Sequence, residues 1–215
     1  MDRSELALVI PALNESRTIA SVVTMASAYG MPIVVDDGSS DDTGTVAERA
    51  GAVVVRHERN LGYDAALNSG VKKAFESGYR YAITLDADGQ HDPQIVSQFI
   101  QKFEQGSQLV IGRRSKMARI AESIFGSYTA RVYGIEDPLC GMKGYCWKLY
   151  ESLGYVDSFN SIGTELALYG AKKGVRISQV NVEVREREGQ PRFGSGISAN
   201  LKILRAMLLG IFKRY

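Results

Sequence analysis

Two carboxylates one residue apart, Asp86 and Asp88, follow directly on the apolar run from Tyr81 to Leu85. Residues two apart on an extended chain point the same way, so both acids address one object, and Gln90 repeats the step. Two carboxylate oxygens and an amide oxygen are hard ligands suited to Mg or Mn, which keep waters and bind substrate phosphates. An ionised pair is costly to bury unpaired, so it belongs at the carboxyl end of its strand, facing solvent, a cation or a ligand. An isolated D-x-D is also a common polar turn, and its weight depends on what else the fold brings to the same place.

Other residues carry comparable chemistry. Asn14-Glu15 and Asp36-Asp37 also stand just after apolar runs. Asp37 suits hydrogen bonding to a base or ribose, or else the capping of a helix. Arg113-Arg114 leaves another apolar run and offers bidentate contacts to phosphate; solvated surface charge is the alternative. Asp137 precedes a proline, where it either orients a ligand or starts a turn. Glu165 lies in the first turn of an expected helix, where an acid suits the helix dipole as well as chemistry. His57 and His91 have no partners at ligand spacing and read as surface or capping residues, and Cys140, Cys146 and Trp147 read as packing residues.

The elements that must position these groups alternate. Leu6 to Ile10 reads as a strand stopped by Pro11, followed by a helix capped by Asn14 or Ser16 and running to about Ala28. Met31 to Val35 is a strand, Thr43 to Ala50 a helix, Ala52 to Arg56 a strand, and Asn60 to Gly70 opens a helix that runs to about Ser77 and leads to the strand before Asp86. Beyond it, Pro93 to Gln105 reads as a helix, Gln108 to Ile111 as a strand, Met117 to Tyr133 as a helix, and Val175 to Val184 as an edge strand. Strands alternating with helices over short loops indicate βαβ units and a mostly parallel sheet. Ligands of such sheets bind beyond the carboxyl ends of the strands, so Asn14/Glu15, Asp36/Asp37 and Asp86/Asp88 are expected on one rim. No G-x-G-x-x-G opens the first helix and no P-loop occurs, which argues against a dinucleotide oxidoreductase and a P-loop NTPase. An acidic rim repels a diphosphate unless a divalent cation intervenes, so metal-bridged binding of a nucleoside diphosphate conjugate is the chemistry expected.

Size sets the outer bounds. The chain has 215 residues, 45% hydrophobic and 23% charged, which suits one globular domain over residues 1–196. A net charge of +2 gives no reason to expect nucleic acid. Two cysteines exclude a disulfide framework and fit reduced thiols, and the start of the chain has no apolar core of a signal peptide. The expected location is therefore cytoplasmic. Residues 197–215 form a basic amphipathic helix: Ile197, Leu201, Leu204, Leu208 and Ile211 recur at helical spacing beside Lys202, Arg205, Lys213 and Arg214. Such a helix either lies peripherally on an anionic membrane face or packs back on the domain.

Four motifs, in order and spacing, resemble glycosyltransferase family 2: Ile10-Pro-Ala-Leu-Asn-Glu15, Val34-Val-Asp-Asp-Gly-Ser-Ser-Asp-Asp-Thr43, Asn60-Leu-Gly62 with Ala65-Ala66-Leu67 and Gly70, and Leu85-Asp-Ala-Asp-Gly-Gln-His91. The likeness is greatest to the dolichol-phosphate mannose synthase and polyprenyl-phosphate glycosyltransferase branch. It is strong over residues 6 to about 115 and weaker to about 194. It implies a GT-A nucleotide-diphospho-sugar transferase fold, an inverting transfer and a divalent metal. It also implies that Pro11, Ala12, Leu13, Glu15, Asp37, Ser39, Gly62 and Asp86 bind the nucleotide sugar, with Asp86, Asp88 and Gln90 as the metal group. The family often has a basic residue where this chain has Asp64. Asp137 to Tyr145 resembles the family's D-x-x-x-G-F segment, where sugar and acceptor meet, with Met142 in place of the aromatic. Glu165 matches an acid of relatives. Arg187 and Arg192 match the basic positions of the lipid-phosphate branch's loop, in which Pro191 replaces a serine, and relatives also carry an arginine near Arg113 or Arg114.

The expected activity is thus transfer of a sugar from a GDP- or UDP-sugar to a polyprenyl or dolichyl phosphate, with Arg113, Arg114, Arg187 and Arg192 stabilising the leaving diphosphate. A phosphate acceptor is ionised already and needs positioning. A saccharide or other hydroxyl acceptor would need a base, for which Asp137 or Glu165 would serve. A non-catalytic nucleotide-sugar-binding subunit of a membrane complex is the rival outside catalysis. A membrane surface, a membrane subunit and a homo-oligomer all remain open as partners.

Overall fold

The computed structural model describes residues 1–89, 94–115, 117, 119–183 and 197–213. The strands form one seven-stranded sheet: β1 (Leu6–Ala12), β2 (Met31–Asp36), β3 (Val53–Arg56), β4 (Tyr81–Thr84), β5 (Leu109–Arg114), β6 (Lys143–Cys146) and β7 (Ile177–Val182). The helices are α1 (Ile19–Ala26), α2 (Thr43–Arg49), α3 (Tyr63–Glu76), α4 (Ile95–Glu104), α5 (Ile120–Tyr133), α6 (Trp147–Leu153), α7 (Thr164–Lys172) and α8 (Ile197–Phe212). The strand order is β3-β2-β1-β4-β6-β5-β7. Only β6 runs against its neighbours, so the sheet is mostly parallel, as the alternating pattern implies.

β1 is buried along its whole length, the mark of a strand covered on both faces. Its residues divide by the period of two. Leu6, Leu8 and Ile10 join Ile19, Val23, Val96 and Phe99 on one side, while Ala7 and Val9 join Val71, Phe75, Leu149 and Leu166 on the other. Helices therefore flank both faces. Gly70 lets α3 approach the sheet closely, since a Cβ there would stand 2.4 Å from Val9 Cγ1 and 2.9 Å from Val35 Cγ2.

Two local expectations need correction. β1 runs through Pro11, which pairs with Val35 of β2. The last β1–β4 pair is Val9 with Thr84, so the missing proline N–H falls beyond that ladder and breaks nothing within it. Nor does Asn14 or Ser16 cap the first helix, which begins at Ile19. Asn14 is left-handed, with φ 54°, and its side-chain oxygen accepts the Ser40 N–H at 2.8 Å, tying the turn after β1 to the turn after β2.

α8 packs back on the domain. Ile203 and Ala206 are buried with Phe125 and Leu168 close by, and Lys172 of α7 donates to the terminal carbonyls of Gly210, Ile211 and Lys213. Its outward stripe consists of Leu201, Arg205, Leu208 and Phe212, all exposed. No helix among the described residues is long and apolar enough to cross a membrane.

Gly70→Ala should lower stability by about 1–3 kcal/mol, the usual range for overpacking, read as a drop in urea midpoint at unchanged m-value. An unaltered midpoint would mean that α3 has room to move away.

Candidate active site

The three acidic strand ends meet on one rim, laced by hydrogen bonds. After β1, the Glu15 N–H is held by Thr43 Oγ1 at 2.8 Å and the Asn14 N–H by Ser39 Oγ at 2.9 Å. Thr18 Oγ1 donates to the Ala87 carbonyl at 2.8 Å and lies 3.3 Å from Glu15 Oε2, linking Glu15 to the loop of Asp86 and Asp88. The Asp37 N–H donates to the Ala12 carbonyl at 2.9 Å, so the turns after β1 and β2 are adjacent.

Asp37 is buried and surrounded by hydrogen-bond donors. Its Oδ1 accepts from Leu61 N–H at 2.9 Å and meets His57 Nδ1 at 2.6 Å, and its Oδ2 accepts from Gly62 N–H at 2.9 Å. His57 is therefore no surface residue. It is half-buried between Asp37 and Ser69 Oγ, which lies 2.9 Å from Nε2, and so orients the acid expected to meet the nucleoside. The next residue along, Tyr63, donates its hydroxyl to Asp86 Oδ1 at 2.9 Å. Asp86 and Asp88 are half-buried at the end of the β4 segment, accessible from the rim.

Among the described residues no three His, Cys, Asp or Glu converge on a ready-made metal cage. Two hard carboxylates on an accessible rim still suit an ion of the Mg or Mn type, which takes its remaining ligands from water and substrate phosphate. Gln90, the expected third ligand, lies outside the described residues, as do Arg187 and Arg192.

The other expected catalytic groups are engaged elsewhere. Arg113 donates twice to the Glu136 carboxylate at 2.7 Å and through Nε to Asn181 at 2.9 Å. Arg114 holds Asp137 through Nε at 2.7 Å and Nη2 at 2.9 Å, and reaches buried Glu122 at 3.3 Å. Instead of a phosphate clamp, the pair meets carboxylates of its own chain. Burial pushes the Asp137 carboxyl up, but the Arg114 hydrogen bonds and charge outweigh it and hold the group below the usual carboxylate range. Glu165 is wholly buried. Its oxygens accept from Tyr155 at 2.9 Å, Lys213 at 2.6 Å, and the Ser158 N–H and hydroxyl at 2.7 Å. Burial raises its carboxyl too, and these partners more than reverse the shift. Both carboxylates are taken up by donors of this chain. An open cleft of about 560 Å³ lies beside Arg113 and Arg114, walled by Gly126 and Ala130 of α5 and by Asn181 of β7.

Sequence reasoning missed His57, Tyr63 and a buried cluster under the rim. In that cluster Asp64 accepts the Ile162 N–H at 2.8 Å, Asn68 Nδ2 donates to the Asp157 carbonyl at 2.7 Å, and Lys143 is fully buried nearby. The acid at position 64, where the family often has a basic residue, was the one visible signal. Burial, then the charge of Asp157, raise the Asp64 carboxyl to about 6, while the Ile162 and Gly163 N–H groups and Lys143 oppose the rise. A folded-state value above the unfolded one means that the fold binds this proton more tightly than the unfolded chain does. That contribution to stability is complete below about pH 4 and is lost as pH rises through about 6. Asp64→Asn lacks the titration, so its stability relative to the parent should improve by about 1–2 kcal/mol between pH 4.5 and 7.5, measured by urea unfolding. A pH-independent difference would contradict the raised value.

Comparison with known proteins gives four further facts. A family model described as Glycosyl transferase family 2 matches residues 7–123. A UDP-N-acetylglucosamine–dolichyl-phosphate N-acetylglucosaminyltransferase of Methanococcus voltae is 35% identical over 51% of each chain, and a dolichyl-phosphate hexose transferase of Haloferax volcanii is 24% identical over 95% of this chain and 94% of its own. Among solved structures, glucosyl-3-phosphoglycerate synthase from Mycobacterium tuberculosis in complex with Mg2+ and UDP superposes with a TM-score of 0.76 at 26% identity, covering 96% of this chain and 78% of that one.

Proposed function

The chain belongs to glycosyl transferase family 2, and from that membership we propose that it moves a sugar from a nucleotide diphosphate to a polyprenyl or dolichyl phosphate. The observation that carries this reading is the laced rim, where Asp37 and Asp86 are both gripped from residues 61–63. In this reading Asp37, oriented by His57, meets the nucleoside, with Pro11, Ala12, Leu13, Glu15, Ser39 and Gly62 around it. Asp86 and Asp88 would hold Mg or Mn. Such an ion, when bound, neutralises charge on the diphosphate.

The engagement of the candidate bases supports a phosphate acceptor. Asp137 and Glu165 are saturated by hydrogen-bond donors, which favours a nucleophile that needs no deprotonation. A phosphate oxygen attacks the anomeric carbon on the face opposite the leaving group. The bond from that carbon to the diphosphate oxygen breaks, and the electron pair departs with the nucleoside diphosphate. This chain's part is alignment of the two reactants. Arg187 and Arg192 are proposed to stay beside the leaving diphosphate. The names of the Methanococcus and Haloferax relatives support a lipid-phosphate acceptor, and the outward stripe of α8 supports contact with an anionic membrane surface.

With labelled nucleotide sugar, Mn and a polyprenyl phosphate, label should pass into the organic phase, and Asp88→Ala should reduce this at least about 100-fold while thermal melts stay unchanged. Label confined to water-soluble product would point to a hydroxyl acceptor, and absence of turnover to a binding subunit. Leu208→Glu with Phe212→Glu should weaken co-sedimentation with anionic vesicles. Unaltered sedimentation would remove α8 from the membrane reading.

A further inference from the structure

Ile162 has a backbone φ of 60°, a left-handed value that is costly for a β-branched residue. Asn160 at 57° and Gly163 at 69° share the region, so the chain coils tightly ahead of α7. Such a conformation persists only where its surroundings over-determine it. Here two buried charged side chains from separate elements do so. Asp64, in the first turn of α3, accepts the Ile162 N–H at 2.8 Å. Lys143, which opens β6 and is wholly buried, donates its ammonium to the Ile162 carbonyl at 2.6 Å. Opposite charges thus take both backbone polar groups of one strained residue.

The same ammonium donates to the Cys140 carbonyl at 2.6 Å, and Thr84 Oγ1 donates to the Gly141 carbonyl at 2.6 Å. Gly141 lies against the acid pair: a Cβ there would stand 3.2 Å from Asp86 Oδ2 and 3.3 Å from the Tyr63 hydroxyl. Across the sheet, the nucleoside-facing acid follows β2, the acid pair follows β4, and Gly141 and Ile162 lie on the β6 side. A nucleotide sugar is a linear ligand. With its base near Asp37 and its diphosphate near Asp86, its sugar and the incoming acceptor extend toward Gly141 and Ile162.

We propose that Asp64 and Lys143 form a two-jawed clamp on Ile162 that sets the wall where sugar and acceptor are aligned, which makes both of them positioning residues for the transfer step. The inference rests on the placement of the sugar donor given above. Neither side chain touches substrate. Both act through the backbone of residues 140–141 and 162, and an error of about 1 Å in such alignment costs about 100-fold in rate.

The test uses the full chain with Mn, reading the dissociation constant of the nucleotide sugar by calorimetry and kcat with polyprenyl phosphate. Asp64→Ala is expected to leave the sugar-donor constant within about twofold and to lower kcat about 100-fold. Asp64→Asn, which still accepts the Ile162 N–H, should stay within about threefold of the parent. Adding Ile162→Gly to Asp64→Ala should restore at least about tenfold, because glycine holds a left-handed backbone without help. If Asp64→Ala does not fold, the double variant read against Ile162→Gly alone decides: equal kcat supports the clamp, and a large further loss overturns it. Full kcat in Asp64→Ala, equal defects in the Ala and Asn variants, or no restoration by glycine also overturns it. A parent protein that transfers only to another acceptor fails the lipid-phosphate reading, and the clamp is then judged on that acceptor's kcat. Absence of any nucleotide-sugar binding overturns both.

Discussion

Ionised carboxylates at the end of a buried sheet must be met by hydrogen-bond donors or they will not stay there as charges. Three consecutive residues leading into α3 answer that demand. Leu61 and Gly62 give their N–H groups to Asp37, Tyr63 gives its hydroxyl to Asp86, and Asp64 turns the other way to take a backbone N–H from the loop before α7. This short run therefore fixes the spacing between Asp37 and Asp86. Gly62, with φ 96°, lets the chain bring two adjacent N–H groups onto a single carboxylate. Close packing at Gly70 anchors that turn to β1 and β2, the strands that carry the acids' neighbours.

The part of the molecule that is readable from residue order is the part governed by local pattern. Apolar runs ending in acids gave strands whose carboxyl ends share a rim, because period and burial are properties of a short window. Glu15, Asp37, Asp86 and Asp88 do come together there. The misreadings have a common cause: each concerns a partner far along the chain. Nothing near His57 says that Asp37 will face it from 20 residues away, and nothing near Arg114 says that Asp137 will neutralise it. Pro11 reads as a terminator because nothing near it shows that the β4 ladder stops at Val9. Asn14 looked like a helix cap because its bond to Ser40 crosses between two loops.

Charge inside the domain is handled in two distinct ways. Around Arg114, opposite charges are matched, with Arg114 and Arg119 facing Asp137 and Glu122. Around Asp64 they are mismatched. Two acids, Asp64 and Asp157, lie near the single Lys143, and burial first, then the charge of Asp157, drives the Asp64 carboxyl up. Matched groups make a rigid wall beside the arginine cleft. The mismatched group lies beneath the rim, beside a strained loop, where perturbed ionisable side chains tend to gather at functional sites.

The single reversed strand has a consequence for how such a scaffold diversifies. Because β6 runs against its neighbours, its amino end reaches the rim, and the long excursion from β5 through α5 returns there by way of Asp137 to Gly141. The four parallel strands β3, β2, β1 and β4 are complete before that excursion begins. Segments arriving after residue 115 can thus be lengthened or exchanged without shifting the register of the earlier half. The sheet behaves as a fixed socket joined at one seam to an interchangeable fitting.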